Sequence, residues 1–209
     1  MSSLQSSVTN FYFFSFLLEA ELDIPESFPA DMVFLIDSSS DVILDNFERE
    51  KDFVKSVAQF MKADQNETRV AVVTYGYIAK EQAGLSSPQD ELLTGLDGAE
   101  YVGGRRRIDL AATKAAEILE GSRFSVPKVV VFLTAGVNGV GETDLLRNAS
   151  EALRDIGANT YVVAIGRDVD LKELQMIVTK QSDIFKVSEF TGLAETFEST
   201  AKAIIRRAG

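Results

Sequence analysis

The chain has 209 residues, of which 45% are hydrophobic and 25% charged, and this size and composition are typical of one globular domain. It contains no cysteine and no histidine, which excludes disulfides, catalytic Cys or His residues and the usual nitrogen–sulfur zinc sites. Lys and Arg number 21 against 32 Asp and Glu, and the net charge of -11 disfavours nucleic acids and anionic membranes as partners.

Residues 1–28 differ from the rest and are predicted to form an extension in front of a domain at residues 29–209. The aromatic run from Phe11 to Leu18 is too short to cross a bilayer. It resembles the apolar part of a signal peptide, but the positive start of such a peptide is missing, since the first basic residue is Arg49. A fragment start followed by an acidic linker, a packed extra element and a targeting signal all stay open.

From Met32 onward, short apolar runs typical of strands alternate with segments whose apolar residues have helical spacing. In chain order we predict a strand at 32–36, a helix at 47–61, strands at 69–75 and 78–85, a helix at 110–119, a strand at 129–133, a helix at 143–156, a strand at 160–165, a helix at 170–178, a strand at 184–187 and a helix at 193–205. Strands that are apolar throughout indicate a mostly parallel sheet with helices on both faces. The predicted fold is therefore α/β and doubly wound, with the polar strand 78–85 suited to an edge.

Local signals support three of these helix starts and one helix end. Asp45 with Glu48 predicts a capping box, Thr143 is a predicted cap, Asp170 is predicted to open a helix, and Gly157 is a predicted stop.

The sequence Asp-Ser-Ser-Ser-Asp at 37–41 directly follows the first strand, where doubly wound sheets place their ligand sites. Carboxylate and hydroxyl oxygens at alternate residues suit Mg²⁺, Mn²⁺ or Ca²⁺. The alternative is that Ser39 or Asp41 only satisfies backbone donors in a strand-to-helix turn.

Several segments resemble the von Willebrand factor type A domain. Asp31 to Ser39 is similar to its first strand and first metal loop, and Arg69 to Tyr75 to its second strand. Gly103-Gly104 stands where the family has a glycine pair before a Thr-x-Thr-Gly loop, Leu133 to Gly136 is similar to its Leu-Thr-Asp-Gly, and Tyr161 to Gly166 to the strand before its sixth helix. The resemblance covers about residues 29–209 and is strongest to the domain arrays of type VI collagen, above all the N-terminal array of the alpha-3 chain.

This resemblance implies a central, mainly parallel sheet with one antiparallel edge strand. It also implies a secreted, non-catalytic module of the extracellular matrix that supports matrix assembly or cell adhesion. The implied partners are matrix proteins or neighbouring domains of the same family.

In that family a divalent metal at the top of the sheet binds a ligand carboxylate, and its five ligand positions map onto this chain. Asp37 and Ser39 keep the family's residues, Asp41 replaces a second Ser, Arg106 replaces the loop Thr and Ala135 replaces a distal Asp. Because arginine is always protonated, we expect Arg106 or its neighbours to neutralise the carboxylates in place of metal, so that no cofactor is predicted. The alternative is Mg²⁺- or Mn²⁺-dependent ligand binding through Asp37, Ser39 and Asp41, as in integrin inserted domains.

Arg105, Arg106 and Arg107 form a basic island in an acidic chain. They suit contact with a sulfated glycan or an acidic protein loop. The favoured interpretation is an internal ion pair for one arginine and solvated side chains for the others.

Two resemblances to enzymes are incomplete. The loop from Gly136 to Thr143 is similar to a phosphate-binding loop, but Glu142 occupies the lysine position and would repel phosphate. Asp37 could serve a carboxylate enzyme acting on phosphoesters, but enzymes resembling haloacid dehalogenases need a second Asp where Ser39 stands. We therefore predict that the protein is not an enzyme.

Asn66-Glu-Thr68 and Asn148-Ala-Ser150 are sequons for N-glycosylation. Asn66 is the better candidate, since Asn148 lies within a predicted helix.

Overall fold

The computed structural model describes residues 28–136, 143–167 and 169–209. Within these residues the strands are β1 (Ala30–Asp37), β2 (Thr68–Tyr75), β3 (Ala79–Ala83), β4 (Lys128–Thr134), β5 (Ala158–Ile165) and β6 (Ile184–Val187). The helices are α1 (Leu44–Phe60), α2 (Gln89–Asp97), α3 (Ile108–Glu120), α4 (Thr143–Asp155), α5 (Leu171–Leu174) and α6 (Leu193–Ala208). The predicted extension lies outside the described residues except for Phe28.

The six strands form one sheet in the order β3-β2-β1-β4-β5-β6. All neighbouring strands are parallel except β2 and β3, which pair antiparallel with a bulge at Val72 and Val73. The predicted α/β fold with one antiparallel edge strand is confirmed. The polar strand β3 takes the edge, where its exposed side chains face water.

β1 is buried along its whole length because helices cover both faces of the sheet. Met32, Phe34 and Ile36 enter a core shared with α1 and α6, and Val33 and Leu35 enter a second core shared with α3 and α4. Alternating residues of one strand thus belong to opposite layers, as the pleat requires. This explains why the strand sequences are apolar without alternation.

Parallel strands end at the same side of the sheet, which we call the carboxyl edge. Asp37 pairs in register with Tyr75 there, and β4 ends beside them at Thr134. This places the loop after β1 next to the loops after β2 and β4. Residues distant in sequence therefore meet where the sequence predicted a ligand site.

The amino edge, at the other end of the strands, is closed by a buried carboxylate. Asp31 accepts hydrogen bonds from Arg69 Nε at 2.7 Å, from the Arg123 backbone N–H at 2.6 Å and from Arg123 Nε at 2.9 Å. Arg123 also donates to the carbonyl oxygens of Ala30 and Glu67 at 2.9 and 2.6 Å. One ion cluster thus joins the start of β1 to the segments before β2 and β4.

The two ends of the described domain also meet at the amino edge. A Cβ atom on Gly209 would lie 3.5 Å from the ring of Phe28, which is itself buried in the core shared with α1 and α6.

Of two predicted caps at helix starts, one is wrong and the other is not tested. The capping box is wrong, because α1 begins at Leu44 after Ile43 with no side-chain cap, and Asp45 lies inside its first turn. The carboxylate there still favours the positive end of the helix dipole. The residue before Thr143 lies outside the described part of the chain, so the cap predicted at Thr143 stays a prediction.

The predicted helix at 170–178 is only the single turn α5. It opens at Asp170 as predicted, and Asp170 caps it by accepting the Lys172 N–H at 2.8 Å. Separate turns follow and still bury Ile177 and Val178, so the apolar spacing matched a helix that does not continue. The sequence analysis missed α2 altogether. That helix buries only Leu92 and Leu96, too few for a clear period.

Candidate functional site

The structure brings four predicted site residues together at the carboxyl edge. Arg106 Nε donates to Asp37 Oδ2 at 2.5 Å, and Arg106 Nη1 lies 3.3 Å from Asp41 Oδ2. The Ser39 backbone N–H donates to the other Asp37 oxygen, Oδ1, at 2.9 Å. Ala135, the fifth residue, is half-buried against the core beside this cluster and offers no ligand atom.

Burial differs sharply within this group. The side chains of Asp37 and Arg106 are 0% and 8% exposed, whereas that of Asp41 is 68% exposed. The Asp37–Arg106 pair is therefore an internal ion pair, and Asp41 contacts it from the solvent side. Burial lowers the pKa of Arg106, but the Asp37 carboxylate raises it by more. The net shift of this pKa is upward, so the guanidinium stays charged.

The loop that carries Arg106 is locked to the loop after β1 by backbone contacts. Gly103 and Gly104 have φ angles of 70° and 76°, which favour glycine. Gly103 N–H donates to Ser38 O at 2.7 Å, and Ser40 exchanges two hydrogen bonds with Gly104 at 2.7 and 2.8 Å. The glycine pair noted in the sequence thus sets the position from which Arg106 reaches Asp37.

Gly136 explains how so large a side chain fits. A Cβ atom at this position would lie 2.5 Å from Arg106 Nη1, so any other residue would push the guanidinium away. Thr134 Oγ1 donates to Gly136 O at 2.7 Å and lies 3.5 Å from Asp37 Oδ2. Residues 137–142 of the predicted phosphate-like loop lie outside the described residues.

Glu50 is a member of the cluster that the sequence analysis missed. It is fully buried in α1, and its Oε2 accepts the Asp37 backbone N–H at 2.9 Å. Burial, with the nearby Asp37 carboxylate, raises the pKa of Glu50 well above its usual value. A signal was available, because Glu50 stands three residues after Phe47 and four before Val54 on the apolar face of the helix.

Three polar side-chain atoms of the cluster lack hydrogen-bond partners. Within the described residues, Ser39 Oγ, Glu50 Oε1 and Arg106 Nη2 are buried without a hydrogen-bond partner. A protonated Glu50 places an O–H instead of a bare carboxylate oxygen in this setting, which agrees with its raised pKa.

We expect Glu50→Gln to stabilise the protein at about pH 8 by roughly 1–2 kcal/mol. The pKa of Glu50 is raised on folding, so its contribution to stability is complete below the unfolded pKa and is lost as pH rises through the folded pKa. Glutamine keeps the acceptor for Asp37 N–H and never ionises. The free energies of unfolding of both proteins in urea should therefore agree at about pH 4, below the unfolded pKa, and diverge toward about pH 8. A variant less stable than the wild type at both pH values would contradict the assignment.

The donor set does not fit a divalent cation. Both oxygens of Asp37 are engaged, one by a guanidinium that would repel a metal ion at close range. In the described parts of the chain, no group of three or more Asp or Glu residues could hold a metal ion. Of the five positions taken from the family, those of Ser39 and Asp41 keep an oxygen that is free of the guanidinium or only loosely held by it.

The basic island is divided between the interior and the surface. Arg106 is buried, and Arg107 is paired with Asp109 through contacts of 2.8 and 2.6 Å. Arg105 is exposed. Arg106 and Arg107 are thus held by carboxylates of their own chain, and glycan binding through 105–107 stays a prediction.

Nothing in the described part of the chain forms a helix with the length and apolar character needed to cross a membrane.

Comparisons with known proteins agree with the fold. The model of the von Willebrand factor type A domain family matches residues 31–199, which lie within the predicted domain. The collagen alpha-4(VI) chain of Mus musculus is 29% identical over 178 residues, and matrilin-1 of Bos taurus is 32% identical over 164 residues. These matches cover 84% and 74% of this chain but only 7% and 29% of the two relatives, so the chain spans a small part of their length.

A solved structure is similar in three dimensions. It is proximal thread matrix protein 1 from the mussel byssus with a zinc-occupied MIDAS motif, with a TM-score of 0.76 and 25% sequence identity. The similarity covers 87% of this chain and 47% of that one.

Proposed function

The chain belongs to the von Willebrand factor type A domain family, and we propose that it is a non-catalytic protein-interaction module of the extracellular matrix. On this proposal it is secreted, contacts matrix proteins or neighbouring domains of its family, and supports matrix assembly or cell adhesion. Its similarity to type VI collagen chains and to matrilin-1 supports a matrix setting.

The observation that carries the proposal is the arginine at the family's metal position. Arg106 supplies the positive charge that Asp37 requires, at 2.5 Å and permanently. A site with an internal cation needs no metal to remain neutral. We therefore propose that this module binds its partners without Mg²⁺ or Mn²⁺, through a degenerate adhesion site.

Exposed apolar side chains around the site support contact with a protein partner. Of the large hydrophobic residues exposed in the described segments, five follow the ends of β1, β2 and β4, and Phe124 alone lies toward the amino edge. The five form what we call the apolar rim: Ile43, Leu44, Tyr77, Ile78 and Leu145. Exposed apolar patches mark interaction surfaces, and these five residues all follow strand ends at the carboxyl edge.

The same geometry argues against catalysis by Asp37. A nucleophilic carboxylate needs a free oxygen facing the substrate, but Asp37 is buried with both oxygens engaged. The chain has no histidine or cysteine to act as a base. A carboxylate enzyme thus has less support than an interaction module.

The full chain, labelled with a fluorophore, should bind in a saturable manner to decellularised matrix deposited by cultured fibroblasts. We expect EDTA to leave this binding unchanged and the double variant Leu44→Glu/Tyr77→Glu to weaken it about tenfold or more. Phe124→Glu is the matched control, because it places the same charge on an exposed apolar residue away from the rim.

Two outcomes would contradict the proposed metal-independent binding to matrix. Absence of saturable binding would remove the matrix role. Binding that EDTA abolishes, Mn²⁺ restores and Ser39→Ala eliminates would establish the metal-dependent alternative. Ser39→Ala is suited to this test because its hydroxyl makes no hydrogen bond within the described structure.

A further inference from the structure

The two N-glycosylation sequons share an unusual burial pattern. Asn66 and Asn148 both expose their side chains, whereas the hydroxyl residues two positions later are buried. Thr68 Oγ1 donates to Phe28 O at 2.6 Å, and Ser150 Oγ donates to Leu146 O at 2.8 Å.

This burial limits when a glycan can be attached. The enzyme that transfers the glycan must bind the hydroxyl group of the third residue of the sequon. In the folded chain this hydroxyl is buried in both sequons. In the reaction, Asn Nδ2 forms a bond to C1 of the first sugar of a lipid-pyrophosphate-linked oligosaccharide. The bond from C1 to the pyrophosphate oxygen breaks, one amide proton is lost, and the lipid pyrophosphate leaves. Attachment must therefore precede local folding.

The two sequons differ in how long they stay open during synthesis. The Thr68 hydrogen bond joins residues 40 positions apart and needs β1 in place beside β2. β1 is a central strand that also pairs with β4, which begins at Lys128, 60 residues after Thr68. At 5–20 residues per second, those residues take about 3–12 s to synthesise.

The sequon at Asn148 stays accessible to the enzyme for a shorter time. The Ser150 hydrogen bond reaches only four residues back within α4. When α4 emerges, β1, β2 and β4 have already been made, so the sheet on which the helix packs is available. A helix forms within microseconds once the sheet on which it packs is in place.

The surroundings of Asn66 accommodate a glycan. Asp64 Oδ1 accepts the N–H groups of Asn66 and Glu67 at 2.8 and 2.6 Å, and Arg123 donates to Asn66 O, so the turn is fixed by its backbone. The side chain remains exposed. The turn precedes β2, whose eight residues span about 23 Å at 3.3 Å per residue. A glycan there lies at the amino edge, away from the apolar rim.

We propose that Asn66 carries an N-linked glycan, attached before β1 is sealed between β2 and β4, and that Asn148 stays largely unmodified. The inference rests on the extracellular placement in the proposed function. The glycan covers the amino edge and leaves the apolar rim as the open face of the module.

The test is to express the full chain behind a heterologous signal peptide in mammalian cells and to measure site occupancy by peptide mass spectrometry after glycosidase release. We expect one glycan per chain, lost in Asn66→Gln and retained in Asn148→Gln, with occupancy at least about fivefold higher at Asn66. Ser150→Thr is the matched control, since both sequons then end in threonine. Asn148 should stay largely empty in that variant.

A second arm tests the timing. Purified unglycosylated chain is offered, folded, to the solubilised transferase with its lipid-linked donor, beside a peptide of residues 60–74. We expect the peptide to be modified and the folded chain to remain unmodified at Asn66. Modification of the folded chain at Asn66 would contradict the claim that burial of the Thr68 hydroxyl prevents glycosylation after folding.

A secreted chain without a glycan at Asn66, or with more at Asn148, would overturn the proposal. Because the signal peptide is supplied, that failure leaves the matrix-binding test intact. A chain glycosylated at Asn66 that binds no matrix would contradict the proposed function alone.

Discussion

Replacing Arg106 with methionine is expected to lower the free energy of unfolding by about 3–5 kcal/mol, because it leaves the buried Asp37 carboxylate without its cation. Methionine fills much of the same space, so the loss reports mainly the charge. Glu50, whose carboxyl accepts the Asp37 N–H, adds a second acidic group to the site. Urea unfolding at neutral pH, followed by circular dichroism, measures the change.

Arg105→Met is the matched control, since it removes an exposed neighbouring arginine and should change stability little. A further variant, Arg106→Thr, restores the family's hydroxyl beside Asp37, Ser39 and Asp41. If Arg106 stands in for metal, Mg²⁺ should raise the melting temperature of Arg106→Thr and not that of the wild type. A loss below about 1 kcal/mol in Arg106→Met would show that the ion pair is not needed.

Asp31→Ala is expected to destabilise the protein by about 3–5 kcal/mol, because two arginines would lose their buried counter-charge. The same change removes the acceptor for the Arg123 backbone N–H. Thermal and urea unfolding should both report it. Asp97→Ala is the control, since that carboxylate pairs with Lys55 on the surface and should contribute little.

The Asp31 cluster also predicts that the stability of the protein depends on pH in the acidic range. Burial raises the pKa of Asp31, but hydrogen bonds from Arg69 and Arg123 outweigh it and hold the pKa below the usual value. Its stabilising contribution is therefore complete above the unfolded pKa and is lost as pH falls through the folded pKa. The gap in stability between wild type and Asp31→Ala should narrow below about pH 4. A gap that stays constant down to about pH 2 would contradict this assignment.

The fold could be predicted because burial on both faces leaves a direct mark on the sequence. β1 and β4 are apolar at nearly every position, and such runs occur where helices cover both sides of a sheet. α2 left no such mark, because its Gly95 packs against β3, where a Cβ atom would lie 2.5 Å from Gln82 O. Close backbone packing replaces the apolar stripe that the sequence analysis sought.

The site could be predicted only in part. Asp37, Ser39 and Asp41 were predicted from their oxygen atoms and their place after a buried strand, whereas Arg106 was assigned through the resemblance to a family. The attraction between Arg106 and the two aspartates followed from their charges. Glu50 was missed because a glutamate in a helix is ordinarily assigned to the solvated face. Its place on the apolar stripe becomes meaningful only when β1 brings Asp37 against it.

The proximity of Phe28 to Gly209, the residue that follows α6, has a mechanical consequence. A force applied at Phe28 and a force applied at Gly209 both enter the described domain at its amino edge, so the two attachment points lie close together. A pull through both points acts across the short gap between Phe28 and Gly209, beside the Asp31 cluster, and does not load the loops around Arg106. We therefore expect tension to disrupt the packing between Phe28 and the end of α6 first, while the loops at the carboxyl edge keep their conformation.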